Sequence, residues 1–213
     1  MVWLYAALLL FEDSYRQGIE LLSKAKYAEA EVALKAALQK DSKNAEAWKA
    51  LGVVYAKQEQ HGMAEEPFAN ACRIAPKLED ACYFHARNQY ALNKFDASLD
   101  ALKLDSQQDR VQLGMAQALE ALGRTTEAEA AFQAAIRLNP KARIEYAVFL
   151  YRQGRTQDAV APLQAAIARE AGAARPRFEL GRVFLQLGRY SEAASQFDEA
   201  IKLGYGQAAS TAG

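Results

Sequence analysis

The sequence predicts an all-α protein, a stack of antiparallel helix pairs, and three observations predict it. Ala, Leu, Glu, Gln, Lys and Arg fill most windows, whereas the 213 residues hold only five prolines and few Val, Ile and Thr clusters. That composition suits helices and not sheets. A pattern of small and large apolar residues recurs about every 34 positions along nearly the whole chain. Gly-containing polar turns fall inside three of the recurring segments, between their two helical halves. About half of the chain is apolar, which excludes a disordered chain.

Six copies of the pattern follow one another. Each has a small residue within its first helix, at Gly18, Gly52, Ala86, Ala116, Ala147 and Gly181, and a second small residue follows in the second helix, at Ala30, Ala64, Ser98, Ala128, Ala159 and Ala193. Four places later stands a large apolar residue: Leu34, Phe68, Leu102, Phe132, Leu163 and Phe197. Apolar residues three and four apart within each segment make the helices amphipathic. The small residues mark where two helix backbones approach closely, and the large one fills the space beside them. A bulky side chain at Ala64 or Ala128 is expected to push the helices apart. The turns Leu122-Gly123-Arg124, Gln153-Gly154-Arg155 and Leu187-Gly188-Arg189 place Gly where a helix ends, free to take the left-handed cap conformation. Thr125, Thr156 and Ser191 just beyond are expected to cap the second helices.

Trp48, Leu51, Gly52, Tyr55, Ala64, Phe68 and Pro76 match, in order and spacing, the pattern of the tetratricopeptide repeat family, which the chain resembles. The resemblance implies an α-solenoid of helix pairs stacked in a right-handed superhelix, with the first helix of each pair lining a concave groove. Residues 11–207 divide into repeats 11–44, 45–78, 79–108, 109–139, 140–173 and 174–207, expected to form one solenoid domain, and 208–213 form a short tail. The third and fourth copies are short. The third also has Cys82, His85 and Gln89 where the second has Trp48, Leu51 and Tyr55, and Asp105 in its late small slot. A shortened helix is expected near Leu104 to Asp109 and another near Pro140.

The family's architecture also implies a site. The residues on the first helices that face away from the second helices are Tyr15, Ile19 and Leu22 in the first repeat, and Lys49 and Val53 in the second. In the third they are Tyr83, Phe84, Arg87 and Tyr90, and in the fourth Leu113 and Gln117. The fifth presents Ile144, Val148, Tyr151 and Arg152, and the sixth Phe178, Arg182 and Leu185. These are expected to line a groove that takes a protein or peptide segment. Tyr and Arg are favoured at binding hot spots, and Tyr83, Arg87 and Tyr90 recur at three- and four-residue spacing on one face. This group is the expected hot spot. Family members that grip a C-terminal carboxylate use a Lys and Asn clamp. Lys49 occupies one such place, but Val53 and Phe84 stand where the amides belong, which argues against that ligand class. The groove lip shifts from Glu12, Glu46 and Asp80 early to Lys141, Arg175 and Arg182 late, interrupted by Glu120, Glu145 and Glu179; such a gradient would orient a peptide.

No phosphate-cradling loop, two-histidine zinc helix or nucleophile elbow is present. The reading is therefore a non-enzymatic scaffold with no cofactor, no metal and no small-molecule substrate. The cluster Cys72, Asp80, Cys82 and His85 leaves one chemical alternative, a metal-dependent activity at Cys72, Cys82 and His85, and a disulfide between the two cysteines is a second. With 26 basic and 26 acidic residues no global field draws the chain to nucleic acid. A third reading is assembly or self-association through the last helix, whose apolar edge is formed by Ala194, Phe197 and Ile201. The apolar run MVWLYAALLLF at residues 1–11, which holds the N-terminal segment 1–10 and the first residue of the first repeat, is too short to span a bilayer as a helix. It reads equally as a leader or as a helix covering the first apolar face, so cytoplasmic and exported locations both stay open.

Overall fold

The computed structural model describes residues 14–78, 80–105 and 108–206. The expected apolar N-terminal segment and the 208–213 tail lie outside them. Among the described residues there is no strand. In chain order the helices are α1 (14–23), α2 (Tyr27–Lys40), α3 (Ala45–Lys57), α4 (His61–Ile74), α5 (Ala81–Ala91), α6 (Phe95–Leu102), α7 (Asp109–Ala121), α8 (Thr125–Leu138), α9 (Arg143–Arg152), α10 (Val160–Arg169), α11 (Ala174–Gln186) and α12 (Tyr190–Lys202). They form two compact units. One holds α1 to α6 with residues 117–124, and the other holds residues 108–116 with α8 to α12.

The helix pairs close by one device. In each of six turns a backbone N–H reaches back to a carbonyl five residues earlier: Lys26 to Leu21, Gln60 to Tyr55, Lys94 to Gln89, Arg124 to Leu119, Arg155 to Leu150 and Arg189 to Phe184, all at 2.8 to 2.9 Å. This is the Schellman bond, which requires a left-handed residue just before the donor. Gly123, Gly154 and Gly188 fill that position as expected, with φ of 71°, 76° and 74°. In the first three turns the residue is Ala25, Glu59 and Asn93, at φ 56°, 60° and 58°. A side chain costs roughly 1 kcal/mol or more at Ala25 and Glu59, so the turn geometry, and not residue preference, holds these two, whereas Asn tolerates the left-handed region.

The same device displaces the expected caps. Before α12 the residue after the left-handed Gly188 already occupies the N-cap, so Ser191 lies inside the helix, behind Arg189, which makes no side-chain cap. Arg189 instead holds Glu192 in the first turn at 2.5 Å. Thr156 sits in a turn ahead of α10, which begins only at Val160 with Ala159 at its N-cap. Thr125 is the first residue of α8.

The small and large slots interlock as the spacing requires. A Cβ placed on Gly18 would lie 2.6 Å from Leu34, one on Gly52 2.5 Å from the Phe68 ring, and one on Gly181 2.7 Å from Phe197. Ala30, Ala64, Ser98, Ala128, Ala159 and Ala193 are all buried, as are Leu34, Phe68, Leu102, Phe132 and Leu163. The large residue also packs forward onto the next first helix: Phe68 stacks on Phe84 with centroids 5.8 Å apart, and Phe132 meets Phe149 at 4.9 Å. The short copies behave as expected. α6 has 8 residues and passes into a 3-10 turn at Lys103–Asp105. A second 3-10 turn, Pro140–Ala142, precedes a ten-residue α9, and Asn139 caps it by accepting from the Lys141 N–H at 3.0 Å.

Candidate protein-docking site

In the first unit the predicted face rests on α1, α3 and α5. Tyr15 packs against the core made by α2, α3 and α4, and burial, followed by nearby Glu46, pushes its hydroxyl above the usual phenol range. With Arg16, exposed Ile19 and Glu46 it lines a hollow of about 380 Å³. On α3, Lys49 and Val53 are half-buried, Val53 against the same core. Phe84 likewise leans inward onto Phe68 and the core. Gln117, on the part of α7 in this unit, is exposed.

The exposed stripe is on α5. Tyr83 is half-buried, Arg87 is exposed, and Tyr90 retains 39% of its surface. The Arg87 guanidinium lies 5.9 Å from the Tyr83 ring centre, and Tyr90 is braced by Phe95 at 5.1 Å. Among the described residues Arg87 has no carboxylate partner.

The second unit answers differently. Leu113, Ile144 and Val148 are half-buried and Arg152 is exposed. Arg182, in the same repeat slot as Arg87, sits 5.1 Å over the Tyr151 ring, but it is also held by Glu179 at 2.9 Å. Arg175 pairs with Glu145 at 2.7 Å, and Lys141 with Glu170 at 3.1 Å. The glutamates that interrupt the charge gradient in the sequence thus cancel two of its late cations. Phe178 is not open to a ligand on both faces, because Tyr205 stacks on it at 4.1 Å and Phe197 meets it at 5.5 Å.

Behind the α5 stripe lies an unusual joint. Cys72, at the end of α4, and Cys82, at the start of α5, are joined by a disulfide with Cα atoms 4.6 Å apart, and both are buried. The metal reading of Cys72, Cys82 and His85 is therefore corrected: both sulfurs are consumed in the bond, and no thiolate remains to bind an ion. Two buried amides complete the joint. Asn88 donates to the His61 carbonyl at 3.0 Å while its oxygen meets His61 Nδ1 at 3.1 Å, which places the proton on that nitrogen. Gln89 donates to His85 Nε2 at 3.0 Å and to Glu65 at 3.3 Å, and Lys94 donates to Glu65 at 2.6 Å. The Lys94 bond holds the Glu65 carboxyl below its ordinary range. Burial lowers the pKa of His85, so this ring is the neutral acceptor. Sequence reasoning flagged Cys82, His85 and Gln89 as departures but missed Asn88. The signal was available, since Asn88 falls in the slot that Val54 fills in the preceding copy.

A hollow of about 600 Å³ on the other side of α3, lined by Leu38, Trp48, Tyr55 and Met63 among others, is not peculiar to that place. In the same repeat slots Ile167, Arg177, Phe184 and Glu192 line a second hollow of about 470 Å³. A notch that returns with the repeat follows from stacking.

The residue pattern is that of a known repeat. The tetratricopeptide repeat model matches residues 15–79, 84–143, 113–174 and 147–210. The chain belongs to the tetratricopeptide repeat family. Tetratricopeptide repeats are scaffolds for protein interaction, and they bring proteins or peptides together. Among solved structures, PilW, a widely conserved type IV pilus biogenesis factor, is similar over 92% of this chain and 94% of its own, with TM-score 0.76 and 19% identity. Pseudomonas aeruginosa pilF is similar over 94% of this chain and 95% of its own, with TM-score 0.71 and 20% identity. YrrB, a tetratricopeptide repeat protein with an unusual peptide-binding site, covers 82% of this chain and 93% of its own at TM-score 0.56 and 16% identity. Likenesses at this identity speak for the fold. No curated protein matches the sequence.

Proposed function

We propose that the protein recruits a partner by docking an extended segment along α5, and that the segment carries an acidic residue between apolar ones. The observation behind this reading is Arg87, exposed and without a carboxylate partner among the described residues, between two tyrosines on one helix face. Tyr83 and Tyr90 are seven residues apart, about 10 Å along a helix, which an extended chain covers in about three residues. The guanidinium at the centre offers a fork for a carboxylate, and the flanking rings supply apolar contact at little entropic cost. Lys49 and Val53 on α3 and Tyr15 and Ile19 on α1 continue the face for a longer segment.

The test is an array of nonapeptides centred on Asp or Glu with Phe, Leu or Tyr neighbours, beside the same peptides centred on Lys. Acid-centred peptides bind the wild type preferentially, and Arg87→Glu, with helicity and melting temperature unchanged, loses about tenfold or more in affinity, the scale of a hot spot. Equal binding of both peptide sets, or an unaffected variant, overturns the reading.

A second reading rests on α12, where Tyr190 is 70% and Ile201 58% exposed. Self-association through this edge predicts a dimer mass in sedimentation that Ile201→Glu abolishes, and a monomer at high concentration rejects it.

A further inference from the structure

The helix that carries the stripe is seated on its neighbour through a polar face and not an apolar one. Its sequence, ACYFHARNQYA, has little apolar asymmetry, and the face turned to α4 presents His85, Asn88 and Gln89. The α3 face presents Leu51, Val54 and Tyr55 in those slots. One Gln89 oxygen on that face finds no partner among the described residues. The residue ahead of α5, Asp80, is left-handed at φ 66° and gives no side-chain cap, whereas Asn44 caps α3 by accepting from the Ala47 N–H at 2.9 Å. What α5 has instead is the bond from Cys82, one residue before Tyr83, to the last turn of α4.

We infer that oxidation of Cys72 and Cys82 is the step that seats α5 and so assembles the docking face. The reduced chain folds its other helices but presents Tyr83, Arg87 and Tyr90 on a loosened α5. The functional half of this inference rests on the docking reading above; the seating half does not. In the step, two thiols form one S–S bond while a disulfide-bearing oxidant, a small molecule or a protein, is reduced. The oxidant leaves as a dithiol carrying both electrons and both protons. Because both sulfurs are buried, a dithiol reductant reaches the finished bond only when the joint opens. The bond therefore acts as a maturation step, and it is made where disulfides form and persist.

Hydrogen exchange on the full chain tests it, comparing the oxidised protein with the Cys72→Ser, Cys82→Ser double variant and with wild type unfolded and refolded in dithiothreitol. In the oxidised protein the amides of Ala81–Ala91 are expected to exchange as slowly as those of Ala45–Lys57. Without the bond they exchange about tenfold faster or more while α2 and α3 keep their protection. Unchanged α5 protection without the bond overturns the inference. The nonapeptide array then separates the two readings. If the oxidised protein holds no acid-centred peptide yet α5 still loosens without the bond, the docking reading falls and the seating stands. If the oxidised and double-variant proteins hold the peptides equally, the docking reading stands and this inference falls.

Discussion

The joint between α2 and α3 and the joint between α4 and α5 occupy equivalent places in consecutive repeats and solve the same packing problem with opposite chemistry. In the first, Leu38, Leu51, Val54 and Tyr55 are buried. Trp48 packs beside them and satisfies its indole N–H on the Ser42 carbonyl at 2.9 Å. In the second, the same slots hold Cys72, His85, Asn88, Gln89 and Cys82. Even the polar rim is conserved in geometry. The Tyr55 hydroxyl donates to Glu31 at 2.9 Å where the Gln89 amide donates to Glu65. Each buried aliphatic side chain contributes about 1.5 to 3 kcal/mol, so the second joint gives up much of its apolar drive. A covalent bond and a hydrogen-bonded network take its place. The comparison teaches that a repeat array can change the chemistry of one joint without changing its geometry, provided that something else closes it.

Five measurements break or sharpen this comparison. Phe68 belongs to both joints, facing Gly52 within its own pair and Phe84 on α5. Phe68→Ala is expected to cost about 3 to 5 kcal/mol in urea unfolding, the largest effect here, and to raise exchange in α3 and α5 together. Replacing both cysteines by Ser costs roughly 2 to 3 kcal/mol in the chain-entropy account of a loop this short. The check is that strong reductant brings the wild-type unfolding midpoint to that of the variant. Gly52→Ala forces a Cβ into the Phe68 ring and is expected to cost about 1 to 3 kcal/mol. Exchange should rise in α3 and α4 ahead of α5, since the disulfide is untouched.

The fourth measurement uses pH. His85 binds its proton less readily in the fold than in the unfolded chain because burial disfavours the charge. The unfolded state therefore takes up more protons as pH falls, and the His85 contribution, complete above its ordinary value of 6.5, is lost below it. Glu65, held down by Lys94, loses its contribution only as pH drops below the ordinary 4.5. His85→Gln should flatten the stability profile just below pH 6.5 and leave the more acidic limb in place; an unaltered profile shows that the ring does not titrate with unfolding. The smallest effect is a gain. Glu59→Gly relieves a left-handed side chain in the turn between α3 and α4 and should add about 0.5 to 1 kcal/mol, read as a raised melting temperature, with α5 exchange unchanged.

Much of this architecture was legible in the residues. Gly18, Gly52 and Gly181 are small because Leu34, Phe68 and Phe197 lie against them, and periodicity alone located both partners. The Gly turns were legible for the same reason, whereas Ala25, Glu59 and Asn93 were not. Their left-handed backbone is imposed by the bond the turn makes; Ala25 and Glu59 carry no preference for it, and Asn93 only the weak one of Asn. Of the candidate site, the stripe Tyr83, Arg87 and Tyr90 was visible as a helix-face spacing. The inward lean of Phe84 and the covering of Phe178 were not, because each depends on a ring from another helix.

The sequence by itself determined the helical class, the period, the small and large slots and the places where copies are short, because each of these is a regularity along one dimension. Only the tertiary structure decided that Cys72 bonds Cys82, that Arg182 is held by Glu179 while Arg87 meets no carboxylate among the described residues, and that α5 leans on a polar joint. These are pairings between side chains that spacing can place on the same face but cannot place within bonding distance. Whether a charge is cancelled or a sulfur bonded is settled by a few ångströms between neighbouring helices.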